Sequence, residues 1–339
     1  MRGVAAIAVV IFHARGFFGY RMSGALAVDF FFVLSGFVVA FAYDDRLAHG
    51  MSFRQFLQKR AIRLYPLYFI GQLLGVFTAA LAIWAGRPSL AAWEVAASFA
   101  LGMLWLPSPF GGATGKFFPL NGPSWSLFWE VIVNLAYGLF HKRLNSLLLL
   151  GLAAIGGIAL VYYAWTTRTL GAGAQWSDVP LGALRTLYSF TVGVLLCRHR
   201  NQIPKWLGKA GATVPIAALG VILLLPDHLV TDLLFIGMGG PVLVAAGSRV
   251  RGDDIPVFRL LGAISFPLYA VHKPLLEALQ LFAPALPLPK PLVGGTYILA
   301  MIGLASLIVP IDKNVRARIT ARANKRGARI TDTKVPVPD

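Results

Sequence analysis

Four ionisable side chains sit in apolar surroundings where such groups are rare: His13, Asp29, Glu130 and His272. Arg2 opens the run Gly3–Phe12, which ends on His13. If the run is helical, Arg2 and His13 share one face, with the imidazole about 16 Å further along the axis. A hydrocarbon core is about 30 Å thick, so an Arg held at one surface puts that ring near mid-membrane. Ionisable groups at such depth usually face a bundle interior or a watery cavity and mark function. The plainer alternative is a histidine bonded to a neighbouring helix.

Asp29 stands in Val28-Asp29-Phe30-Phe31-Phe32-Val33-Leu34-Ser35-Gly36-Phe37. About five residues into a second span, it lies roughly 8 Å below the far surface. There it can hold a ring nitrogen of His13, fixing the tautomer and raising its basicity, or simply cap its own helix. Glu130, in Pro123-Ser124-Trp125-Ser126-Leu127-Phe128-Trp129-Glu130, sits about 10 Å inside from that same surface, with Asn134 one turn further on. Trp125 and Trp129 share a face, as interfacial belt residues or as a platform for a sugar ring. His272, between Pro267 and Pro274, comes to a similar depth in a segment those prolines should kink, freeing backbone carbonyls. Four polar groups from four spans thus converge at one level, as a reaction or transport site requires.

At the opposite surface, Lys59, Arg60 and Arg63 precede Leu64-Tyr65-Pro66. Arg60 and Arg63 are three residues apart on a helix face, a spacing suited to clamping phosphate. Positive-inside topology alone would also place cations there.

Only a membrane supplies elements that position such residues. The chain has 57% hydrophobic and 13% charged residues, against about 25% charged in soluble domains. We read ten spans: 3–20, 24–43, 62–85, 123–141, 144–165, 179–197, 212–226, 229–247, 257–282 and 291–310. With a cytoplasmic start, 23 of the 31 Lys and Arg residues fall inside. An eleventh span at 89–107 would put Lys142–Arg143 and Arg198–Lys209 outside, against the positive-inside rule. Residues 86–122 are therefore expected outside, re-entrant or lying on the membrane, with irregular structure over 107–115.

The membrane domain is placed at 1–312. A basic cytoplasmic tail follows at 313–339, a short helix and then disorder, solvated or lying on anionic lipid. The net charge of +17 is explained by topology, and no basic, aromatic-interleaved module points to nucleic acid. The single cysteine, Cys197, excludes an intrachain disulfide. Met1, Arg2 and the following apolar run could pass for a signal peptide, but no convincing cleavage site follows; we read a retained helix whose abrupt start leaves room for residues upstream. No internal repeat supports an inverted-repeat transporter.

The motifs together resemble the acyltransferase 3 family of integral membrane acyltransferases. Its Arg-x10-His pattern falls on Arg2 and His13, and its Val-Asp-Phe-Phe-Phe-Val-Leu-Ser-Gly-Phe signature on 28–37. Arg-x-x-Arg-Leu-Tyr-Pro falls on 60–66, Trp-Ser-Leu-x-x-Glu on 125–130, and Ser-x-x-Leu-Tyr-x-x-His on 265–272. A closing acidic–basic pair falls on Asp312-Lys313. The family's short polar lead before the first Arg is absent, and Lys273 replaces an aromatic that often follows the His.

The resemblance implies an all-α bundle in a bacterial inner membrane. It would move an acyl group, most often acetyl, from cytoplasmic acyl-CoA to a hydroxyl of a surface or lipid-linked carbohydrate. Acyl-CoA would be a donor substrate rather than a bound cofactor, held by Arg2, Lys59, Arg60 and Arg63. In this reading His13 is the general base, oriented by Asp29 or, second, Glu130, and His272 donates to the oxyanion or departing thiolate. An acyl-His intermediate is the other route. Trp125, Trp129 and Asn134 would meet the acceptor. The competing class is a flippase for a lipid-linked glycan, with the same groups as a proton relay. A non-catalytic scaffold gives no reason for four ionisable groups at one depth. His13, His272 and Asp29 carry no metal-ligand spacing.

Overall fold

The computed structural model describes residues 1–111, 115–250 and 255–332, with side chains to Ala323. Each of the ten apolar segments expected to span contains an α-helix, though in 3–20 it ends at Ala14. In chain order the helices are α1 (Arg2–Ala14), α2 (Leu26–Ala48), α3 (Phe53–Trp84), α4 (Ala92–Met103), α5 (Ser124–Phe140) and α6 (Ser146–Thr167). There follow α7 (Val179–Arg198), α8 (Thr213–Leu224), α9 (Leu229–Leu234), α10 (Gly240–Arg249), α11 (Pro256–Phe282) and α12 (Lys290–Asp332). A π turn, Phe235–Gly239, joins α9 to α10. Among the described residues no strand forms. Arg251, the 112–114 part of the irregular run and 333–339 of the tail lie outside the described residues.

Six segments are long and apolar enough to cross a membrane: Leu26–Ala48, Phe53–Trp84, Ser146–Thr167, Trp176–Arg198, Leu229–Arg249 and Lys290–Ala323. α1, α5 and α8 are shorter, at 13, 17 and 12 residues. α11 has 27 residues but carries His272, Lys273 and Glu277 among its apolar ones.

Local chemistry sets several boundaries. Ser52 caps α3 by accepting from the Gln55 N–H while the Gln55 side chain takes the Ser52 N–H, a capping box. Asn145 caps α6 on the Leu148 N–H. α11 runs through Pro267 and Pro274 without a break. Pro274 has no N–H for the Ala270 carbonyl, and Asn121 Nδ2 supplies the missing donor at 2.9 Å. The tail's first part is not a separate helix either, because α12 runs unbroken past residue 313 to Asp332.

Paired contacts fix helix directions. Asp29 meets Arg185 and Asp44 meets Arg198, at sequence separations of 156 and 154, so α2 and α7 are parallel. Gly3 packs against Leu261, and His13 against His272, so α1 and α11 are parallel. Arg60 meets Glu130 whereas Gln72 meets Ser124, so α3 and α5 are antiparallel. The 85–123 connection therefore starts and ends at one end of the bundle. Within it α4 descends along α3 until the Tyr68 and Tyr65 hydroxyls donate to the Gly102 and Met103 carbonyls. The chain turns at Trp105 (φ 59°) and climbs back, placing Ser108 on Ser98 and Phe110 on Trp93. The connection is thus a hairpin folded back along α3.

α2 and α7 lie in backbone contact. A Cβ on Gly36 would stand 2.0 Å from the Phe190 carbonyl oxygen, and one on Gly193 2.0 Å from that of Val33. Only glycine fits such an approach, as at small-residue helix interfaces in membranes.

Candidate active site

α2, α3, α5 and α11 enclose a cleft with about 1060 Å³ of empty space, part of it open to solvent. At one end stand Arg2, Arg60, Arg63 and, from α12, Arg316 with Asp312. Arg316 pairs with Asp312 one turn away, and Glu130 Oε1 accepts from Arg60 at 2.8 Å and from Ser35 at 2.8 Å. Four guanidiniums face two carboxylates, so this end keeps an excess of positive charge. Fork-shaped donors of that kind match phosphate oxygens.

The cleft's other end is walled by Phe31, Ser126 and Tyr269. The Ser126 and Tyr269 hydroxyls are 2.5 Å apart, and the Tyr269 hydroxyl also donates to the Pro123 carbonyl at 3.1 Å. Behind Tyr269, with ring centroids 5.8 Å apart, lies the fully buried His272.

His272 and His13 form a pair, Nε2 to Nδ1 at 3.2 Å. His272 Nδ1 lies 2.8 Å from the Tyr269 carbonyl and 3.1 Å from that of Leu268. Two acceptors assign the proton to that nitrogen and leave Nε2 as an acceptor. His13 Nδ1, 2.9 Å from the Val9 carbonyl, then carries a proton shared between that oxygen and His272. The His13 Nε2 lone pair is thereby left to accept a proton from elsewhere. The Tyr297 hydroxyl donates to the His272 carbonyl at 2.5 Å and, with Asn121, holds this stretch of α11 in place.

The structure corrects the expected partner of His13. Asp29 accepts two hydrogen bonds from Arg185, at 2.9 and 2.5 Å, with both side chains 1% exposed. A carboxylate so buried takes the nearest permanent cation, and a second Arg185 fork tooth binds the Ala172 carbonyl at 2.6 Å. Glu130 likewise serves Arg60 and Ser35. The residue that touches His13 is His272, so its expected outward donation is replaced by acceptance from His13.

Three further expectations change. Trp125 is 7% exposed, packed on Phe32 with Arg185 over its face at 5.5 Å, and is neither a belt residue nor an open sugar platform. Trp129 packs against Gly182 and Phe128. Asn134 is buried, donates to the Glu130 carbonyl at 2.6 Å and borders a separate apolar pocket beside Trp105. Lys59 is exposed and does not line the cleft, being one residue, about 100°, off the Arg60–Arg63 face.

Sequence reasoning missed Arg185, Tyr269, Ser126 and Arg316. A visible signal existed for Arg316, four residues after Asp312 on one helix face, and for Arg185, a charge inside an apolar span.

The sequence profile of the acyltransferase domain family matches residues 1–311. "Protein 2 in picA locus" of Rhizobium radiobacter is 36% identical over 175 residues, covering 48% of this chain and 91% of that protein. "Acyltransferase MdmB" of Streptomyces mycarofaciens is 28% identical over 276 residues, covering 74% of this chain and 67% of that one. No solved structure matches. With motif blocks in order from Arg2 to Asp312 around one cationic cleft and a histidine pair, the chain belongs to the acyltransferase 3 family and is a multi-pass membrane acyltransferase.

Proposed function

We propose that the protein moves an acyl group, acetyl as the simplest case, from cytoplasmic acyl-CoA to a hydroxyl of a surface or lipid-linked carbohydrate. The observation that carries this reading is the cleft's polarity. One end presents Arg2, Arg60, Arg63 and Arg316, and the other ends on Tyr269, against His272. CoA phosphates bind at the arginines while the pantetheine arm carries the thioester toward Tyr269 and Ser126.

His13 Nε2 accepts the proton of the acceptor hydroxyl as its oxygen attacks the thioester carbon. The C–S bond then breaks, CoA leaves as thiolate, and the proton returns from His13 to the sulfur. While His13 is charged, His272 Nε2 accepts the His13 Nδ1–H, the orienting part first sought in Asp29. Arg2 shares α1 with His13 and so ties the phosphate end to the base.

The ten-span topology with both termini cytoplasmic, in a bacterial inner membrane, belongs to this reading. It is supported by the antiparallel α3 and α5, which return the 86–122 connection to its own side, and by the parallel α2 and α7. The test is His13→Ala in purified, membrane-reconstituted protein. Acyl transfer should fall by roughly 10²–10⁴, the usual share of general base catalysis, while acetyl-CoA still raises the unfolding temperature. Transfer at the wild-type rate would refute the assignment, and absence of any stabilisation by acetyl-CoA would refute the donor.

A further inference from the structure

A second cleft lies at the opposite end of the bundle from the arginine mouth, among the loops that follow α1, α6 and α8. It holds about 1070 Å³ of empty space, including its open mouth, and its walls are mainly polar. Arg15, Arg21 and Arg168 enter it from two loops, Asp227 from a third and Asp232 from the first turn of α9. None of the three arginines has a carboxylate partner among the described residues. Arg15 rests on the Phe12 ring at 4.3 Å and Arg168 on the Trp165 ring at 4.4 Å, so both are positioned yet electrostatically unanswered. Arg168 is moreover held left-handed, at φ 59°, a conformation costly for a side chain with a Cβ and often kept at functional sites.

The cleft is built rather than incidental. Its floor includes Ala25 and Ala172, whose carbonyls accept from Arg185 at 3.1 and 2.6 Å. The buried Asp29–Arg185 pair thus fastens two of the three loops. Ser23 fastens the third: its N–H donates to Leu225 at 2.8 Å and its hydroxyl to Asp232 at 3.3 Å. The Phe12 ring lines the cleft and stands edge-on to the His13 ring, centroids 5.3 Å apart.

We propose that this cleft binds a polyhydroxylated anion, a sugar acid within a glycan, with Arg21 and Arg168 on the acid group and Asp227 and Asp232 accepting from sugar hydroxyls. The mixture of charges decides between ligands. A bare phosphate or a lipid headgroup gains from the arginines but is repelled by two carboxylates, whereas a sugar acid uses both sets. Taken as the acceptor site, the cleft deepens the proposed function and rests on it in that respect; the binding itself requires no acyl transfer.

The experiment measures binding of oligogalacturonate to the full chain in nanodiscs at fixed ionic strength. Neutral maltohexaose and inorganic phosphate serve as competitors, and CoA binding is followed in parallel. Wild-type protein should bind oligogalacturonate, with Kd raised at least tenfold in Arg21→Gln/Arg168→Gln and CoA binding unchanged. Arg63→Gln/Arg316→Gln should do the reverse. The proposal is overturned if the wild type binds no oligogalacturonate, if Arg21→Gln/Arg168→Gln binds it equally well, or if maltohexaose or phosphate displaces it at equal concentration. Because Arg21 is exposed, the single Arg21→Gln variant supplies the same comparison without disturbing the α6 cap. Loss of CoA binding in wild type would strike the donor assignment and leave this one standing.

Discussion

Two of the arginine–carboxylate pairs that cross this bundle sit in surroundings that give them different work. Asp29 and Arg185 are each 1% exposed and satisfy one another and two loop carbonyls. Arg60 and Glu130, at 8% and 19%, line the cleft beside three further arginines. The first pair has no access to a substrate and holds helices and loops together. The second can exchange partners with whatever enters. Identical chemistry becomes scaffold or binding surface according to what water and neighbours allow it to touch.

Breaking the first pair should have the larger effect on the fold. Asp29→Asn leaves a buried guanidinium without its counter-charge, a change that typically costs about 3–5 kcal/mol. Folded protein recovered from membranes should drop sharply, by detergent-resistant size-exclusion yield or thermal unfolding. Recovery equal to wild type would mean that the pair is dispensable. Glu130→Gln should be milder for stability, about 1–3 kcal/mol, since a hydrogen-bonding group remains for Arg60 and Ser35. It removes one of the two carboxylates opposing four arginines, so acetyl-CoA should bind several-fold more tightly at low salt, with the gain shrinking as salt is added. Titration calorimetry at two ionic strengths reads this directly. Smallest of all, Ser35→Ala deletes one donor to Glu130 and should lower stability by about 0.5–1.5 kcal/mol, with little change in donor affinity. A large affinity change there would place Ser35 on the substrate side of the comparison.

How much of this was legible in the chain follows the same division. Counting residues along a helix gives depth, and depth correctly brought His13 and His272 to one level, where they touch. It also put Asp29 near that level. Depth does not give azimuth, however, and Asp29 points to α7 rather than α1. Its partner is 156 residues away, a distance no local spacing reveals. Trp125 and Trp129 show the same gap, because an i, i+4 spacing fixes a shared face but not whether that face meets lipid, sugar or protein. Prolines in α11 signalled released carbonyls, and the donor that answers Ala270 comes from a loop residue, Asn121, 149 residues away in sequence.

The approach of Gly36 and Gly193 bears on how far the helices of this bundle can move against one another. Two rods touching backbone to backbone at mid-length, and bolted by ion pairs near both extremities, have little freedom to slide or tilt past each other. A rocking mechanism that exposes one compartment and then the other would have to shear that seam.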